Sequence, residues 1–138
     1  SRRIVGNDMD NHQRKSLPLK ALKNAILSRK PKSGLLHHSD RGSQYCSGEY
    51  LGTLEKHQFR SSLNMAGTCL DNAVVESFFS SLKQECVYRH SFTSRSEAQD
   101  KISEYIDVFY NTKRIHSANN GIPPMEIEHI FRCKNVHS

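Results

Sequence analysis

Three polar side chains, Asn72, Glu76 and Lys83, share one edge of a helix predicted to run from Asp71 to Lys83. At about 100° per residue they cluster within roughly 40° of one another, beside an arc of Val75, Phe78, Phe79, Leu82 and Cys86. Such an arc seeks a core, so the spacing predicts that packed neighbours hold Glu76 at the core's rim. A carboxylate on a rigid rim suits a catalytic group. The competing reading is a solvated helix face, on which such pairs contribute only about 0.2–0.5 kcal/mol.

A second acid stands upstream. The run Leu35-Leu36-His37-His38-Ser39 breaks at Asp40-Arg41-Gly42, which reads as a buried strand presenting Asp40 at its C-terminal end. Between Asp40 and Glu76 lie 35 residues, and Lys83 follows seven beyond Glu76. These acids sit in the segments His38 to Tyr45 and Asp71 to Phe79, and a later segment runs Tyr110-Asn111-Thr112-Lys113-Arg114-Ile115-His116. Together the three resemble the DDE transposases and retroviral integrases, above all the integrase-like core of bacterial insertion-sequence transposases. The resemblance extends over nearly the whole chain.

It implies an α/β fold of the ribonuclease H-like kind and DNA transposition by metal-dependent phosphodiester strand transfer. Asp40 and Glu76 would be the catalytic acids and metal ligands. Hard oxygen donors of this type suit Mg2+ or Mn2+, two of which serve the complete enzyme. Lys83 would contact the DNA backbone, with further DNA contacts at Asn72, Gln44, Tyr45 and Arg114. Asn72 is equally read as a helix cap. For Tyr45 the favoured reading is a ring on the core with a wet hydroxyl. Arg114 with Lys113 could grip phosphate, and stabilising the end of the fold explains them equally well. His37 and His38, adjacent on a strand, point to opposite faces and do not make a metal pair.

In the family the first acid lies on a strand ahead of the segment that residues 1–6 resemble. Asp8 and Asp10 follow that segment in turn-like sequence and read as turn residues. The expectation is therefore an integrase core truncated at its N-terminus and lacking the first strands, with residues 1–116 as a partial core and 117–138 as a C-terminal extension. Two acids in place of three lower the net negative ligation, so such a chain is expected to be weak or inactive alone. It would act with DNA, as element ends and target, and as a homo-oligomer or with a complementing N-terminal half. The alternative is a non-catalytic nucleic-acid-binding remnant of an insertion-sequence transposase.

Composition agrees. A chain of 138 residues with 36% hydrophobic residues suggests one modest core, and a formal charge of +6 favours a polyanionic partner. The four cysteines form no Cys-x-x-Cys pair, which argues against a zinc knuckle or a disulfide framework. No apolar run approaches the roughly 18 residues of a membrane span, and the start lacks a signal-like apolar stretch. A cytoplasmic protein, nucleoid-associated when bound to DNA, is expected.

The positioning elements follow in order. Arg2 to Val5 reads as a strand end. Ser16 and Leu17-Pro18 open a helix with Leu19, Leu22 and Ile26 inward, and a basic loop covers 28–34. Ser47 caps a helix to His57 with Tyr50, Leu51 and Leu54 inward, and Phe59 to Leu63 reads as the next strand. Asn64 to Cys69 reads as a small, flexible loop beside the site. Ser94 to Glu97 fits a capping box ahead of a helix burying Ala98, Ile102, Tyr105, Ile106 and Phe109. Met125 to Phe131 adds a turn or two of helix.

Overall fold

The computed structural model describes residues 1–12, 14–63 and 73–136. The Asn64 to Cys69 loop and the helix start at Asp71 and Asn72 lie outside the described residues. Two compact units divide the chain, Val5–Ala73 and Ser1–Ile4 with Val74–Ser138.

In the first unit, helix α1 spans Ser16–Arg29 and ends on Lys30, whose left-handed backbone lets its N–H close on the Ile26 carbonyl. Strand β1, Leu36–Ser39, pairs in parallel with β2, Arg60–Leu63, and helix α2, Gly48–Lys56, makes the crossover that parallel strands require. The register sets Leu36 beside Arg60 and Ser39 beside Leu63. Leu19, Tyr50, Leu54 and Phe59 form the core, flanked by Leu22, Ile26 and Tyr45. The chain at Gly6 lies directly on α1: a Cβ there would sit 2.5 Å from the Ala21 carbonyl and 2.6 Å from the Ala25 nitrogen. Only glycine permits that approach.

Two expectations fail in this unit. The strand before Asp40 is not buried, since Leu35 and Leu36 are 46% and 60% exposed. Alternation along β1 turns His37 and Ser39 inward, leaving Leu36 and His38 outward. On α2 the inward pair is Tyr50 and Leu54, one turn apart, and Leu51 is exposed.

The second unit is helical. Helix α3 spans Ala73–Glu85 and is followed by a 3-10 turn at Val87–Arg89. Helix α4, Arg95–Glu104, runs straight into a π-helical segment, Tyr105–Tyr110. Ser94 caps α4 by accepting the Glu97 N–H at 3.1 Å, while the Glu97 carboxylate accepts from the Thr93 N–H, one residue before the partner a capping box would use. Leu82, Cys86, Tyr105, Ile106 and Tyr110 form the core, with Ile4, Phe78, Val87 and Ile102 packed on it. Burial pushes the Cys86 thiol up and keeps it protonated. Among the described residues, Cys46, Cys86 and Cys133 form no disulfide.

The arc predicted for α3 is only partly buried. Phe78, Leu82 and Cys86 meet the π segment, whereas Val75 and Phe79 are exposed. The residues at i, i+4 and i+8 take up the width that the π segment can cover. Phe109 is likewise turned out and Tyr110 turned in. The π segment is closed by the Asn111 N–H on the Ile106 carbonyl at 3.0 Å, an i to i+5 bond, so the inward face slips by about one residue.

Arg2 to Val5 forms no strand. Ile4 instead pairs with one side chain: its N–H donates to Asn111 Oδ1 and its carbonyl accepts from Asn111 Nδ2, both at 2.9 Å. Asn119 donates to the Ser1 carbonyl, and Arg3 pairs with Glu128 at 3.0 Å. Glu128 lies on helix α5, Pro124–Val136, which is longer than the turn or two expected and opens on a fully buried proline. Residues expected to be a C-terminal extension thus belong to the body of this unit. Among the described residues no helix is long and apolar enough to cross a membrane.

Asn111 is 4% exposed. Asn111→Ala leaves both Ile4 backbone groups without partners, and a loss of about 1–3 kcal/mol in urea unfolding is expected. Asn111→Asp keeps the acceptor but turns a buried carboxylate oxygen on the Ile4 carbonyl, and should lose at least as much at neutral pH; equal midpoints for all three proteins would show that the amide bridge contributes nothing.

Candidate functional site

Asp40 follows the last residue of β1 and folds back on its own turn. Its Oδ1 accepts the Gly42 N–H at 2.7 Å, and the Tyr45 N–H closes on the Gly42 carbonyl at 3.0 Å. This side-chain turn is one that aspartate before glycine readily makes. A Cβ on residue 42 would meet Asp40 Oδ1 at 2.9 Å and Gln44 Nε2 at 3.0 Å, so glycine here leaves room for both side chains. The other Asp40 oxygen makes no protein hydrogen bond among the described residues.

Gln44 and Tyr45 continue the turn into α2. Ser47 donates to the Gln44 carbonyl at 3.1 Å and caps the helix through the Tyr50 N–H. The Tyr45 ring lies edge-on to Tyr50, with centroids 5.4 Å apart. Burial, and then the charge of Asp40, push the Tyr45 phenol up, opposed by a hydrogen bond with the Gln44 side chain. Its ring therefore packs on the core beside Asp40, in line with the favoured reading. Tyr50 meets His37 Nε2 at 3.0 Å, and burial pushes its phenol up to about 12. Burial also lowers the His37 imidazole, favouring its neutral form.

Glu76 sits in the first turn of α3, where the helix dipole favours an anion. It makes no hydrogen bond or ion pair among the described residues. Lys83, in the last turn, lines the same open groove of about 480 Å³, together with the exposed Val75, Phe79 and Tyr88. Glu76 and Lys83 thus share a face as their spacing predicts, but the neighbours beside Glu76 are not packed. Asp40, Gln44 and Tyr45 belong to the 5–73 unit and Glu76 and Lys83 to the other. Asn72 lies outside the described residues.

Arg114 is committed within its own unit. Its Nε and Nη2 donate to both oxygens of Glu85 at 2.7–3.0 Å, Nη2 also reaches Ser81 Oγ at 3.2 Å, and the guanidinium lies over the Tyr110 ring. These contacts are what an arginine that stabilises the fold would make, and Arg114 also lines an open groove. Glu85 was missed, since a partner 29 residues away leaves no spacing to read. The turn at Gly42 was legible, since Asp-x-Gly after an apolar run is a turn signature, but the room Gly42 leaves for the Asp40 and Gln44 side chains was not.

Sequence models of the integrase core domain match residues 1–69 and, separately, residues 76–130. The chain belongs to the integrase core family. It is 44% identical over 121 residues to an uncharacterized 31 kDa protein of insertion element IS600 from Shigella sonnei, covering 88% of this chain. It is 40% identical over 128 residues to the transposase InsF for insertion sequence IS3A from Escherichia coli strain K12, covering 93% of this chain. In each case the match covers 44% of the relative, so the chain spans less than half the length of these curated proteins. No solved structure matches. Membership of the integrase core family implies the ribonuclease H-like fold, of which the helix-linked parallel pair β1 and β2 is the α/β element seen here.

Integrase cores use divalent metal, and the donors available here are of the hard type such ions take. Among the described residues, Asp40 and Glu76 each keep a carboxylate oxygen without a hydrogen-bond or ion-pair partner. No group of three or more His, Cys, Asp or Glu side chains that could hold a metal occurs among the described residues.

The Arg114 hydrogen bonds hold Glu85 below its ordinary value of 4.5, with the Tyr105 hydroxyl at 2.7 Å helping and burial opposing. A depressed carboxylate stabilises the fold above its unfolded pKa and stops doing so as pH falls through the folded value. Glu85→Gln should therefore be less stable than the parent at pH 7, with the gap closing below pH 4.5. Urea midpoints measured from pH 7 to about 3 would show this, and a gap independent of pH would rule out the charged pair as its source.

Proposed function

We propose that this integrase core serves DNA transposition by phosphodiester strand transfer, with Asp40 and Glu76 as two of its metal-binding acids. The observation that carries the reading is the Asp40 turn. A carboxylate at a strand end is oriented through one oxygen by the Gly42 N–H, and its other oxygen remains available. Glu76 offers the second carboxylate from a helix N-terminus. Divalent ions, Mg2+ or Mn2+, would supply activation of the attacking hydroxyl and neutralisation of the leaving oxygen. Lys83, on the groove that holds Glu76, is positioned to meet a phosphate of bound DNA. Tyr45 and Gln44 support the Asp40 turn, and Asn72 orients Glu76 or a DNA end.

Neither Asp8 nor Asp10 is assigned the part of the first acid. Asp8 Oδ2 is shut off from solvent, and Asp10 accepts its neighbour's N–H at 2.6 Å and faces Arg14. We assign that acid to residues outside 1–138, in the same protein or in a complementing segment. The sheet supports this. The parallel pair among the described residues has strand edges suited to pairing with further strands. A binding-only remnant is the second reading, favoured by the +6 charge.

Strand transfer on labelled element-end DNA with Mn2+ tests both. The chain alone is expected to be weak or inert, and active once a segment bearing the first strands and their aspartate is supplied. Asp40→Asn or Glu76→Gln should return the complemented reaction to background. Activity surviving either substitution would remove these residues from the catalytic set, and failure of every complementing segment would favour the remnant.

A further inference from the structure

A groove of about 710 Å³ on the 74–138 unit has a floor of Glu85, Tyr105 and Arg114 and a rim of Arg89, Phe109 and Lys113. The floor is electrically matched, since the Glu85 carboxylate takes two Arg114 nitrogens and the Tyr105 hydroxyl. The rim is not. Arg89 uses Nε on the Gln84 carbonyl at 3.1 Å, which leaves the rest of its guanidinium, and Lys113 makes no ion pair among the described residues. Along the same groove the π segment turns out Phe109, 42% exposed, with its ring tilted against Tyr105 at a centroid distance of 5.6 Å.

An exposed aromatic ring that shares a groove with two cations matches a ligand that alternates anions with flat apolar faces. An unpaired nucleotide strand has that form. A duplex offers phosphates with its base faces stacked away, and an acidic peptide offers carboxylates with few flat faces. We propose that this groove binds single-stranded DNA, with backbone phosphate on Arg89 and Lys113 and a base stacked on Phe109. The proposal rests on the nucleic-acid partner argued above, but not on Asp40, Glu76 or a metal.

The test is fluorescence anisotropy of the full chain with labelled oligothymidylate in EDTA. Binding without metal is expected, which separates this site from the metal-dependent acids. Phe109→Ala should weaken binding about tenfold. Phe109→Leu, which keeps the bulk, should fail likewise, whereas Phe109→Tyr should bind as the parent does. An abasic strand should bind the parent as weakly as oligothymidylate binds Phe109→Ala. Arg89→Gln with Lys113→Gln should lower the slope of log K on log salt by about 1.4, roughly 0.7 for each phosphate no longer neutralised. Urea midpoints near that of the parent confirm that the variants fold. Duplex or an acidic peptide binding as well as the single strand, a Phe109→Leu variant that binds normally, or an unchanged salt slope would each overturn the proposal.

Discussion

The i to i+5 bonding of Tyr105–Tyr110 is the constraint on which the helical unit depends. An α-helix continued from α4 would carry Phe109 toward the core and Tyr110 off its centre. The π segment admits an extra residue per turn and slides the face back. Tyr110 then packs edge-on to Phe78 and to His116, with centroids 5.0 and 4.8 Å away. The residues beyond inherit that shift. Asn111 meets the backbone of Ile4, and Arg114 meets Glu85 on α3, so one local change in helix pitch sets two long-range connections.

Those connections show how a unit with few buried apolar residues is held. Among the described residues its core has five buried members, and much of its α3 arc stays exposed. Directional polar contacts add to what burial alone supplies. The Asn111 amide satisfies both backbone groups of Ile4, and the Glu85 carboxylate takes a guanidinium on one side and a phenol on the other. Such contacts are costly to leave half-made in a protein interior. His116 marks the limit of this arrangement: its Nε2 is buried without a partner, and burial and the Arg114 charge lower its imidazole toward the neutral form.

In the strand-bearing unit the same economy serves a carboxylate. β1 is four residues long and outwardly exposed at Leu36, yet its pairing with β2 fixes where it ends. The turn at Asp40 and Gly42, the packing of Tyr45 on Tyr50 and the Ser47 cap then follow within a few residues. Asp40 is oriented almost wholly by groups near it in the chain. That is why a strand this short can present it.

Much of this was legible from residue order. The ends of α1, the Ser47 and Ser94 caps, the strand leading to Asp40 and the sharing of a face by Glu76 and Lys83 all follow from local rules of turn, cap and periodicity. Family membership was legible from three short segments. Which half of each apolar arc finds a partner was not, because exposure depends on what packs opposite. Hence Val75, Phe79 and Leu36 stand in solvent while Leu82 and Cys86 do not. The pairing of Arg114 with Glu85 and of Asn111 with Ile4 was decided only by the tertiary structure. These contacts join residues far apart in the chain, through a π segment whose pitch is set by the core it must reach.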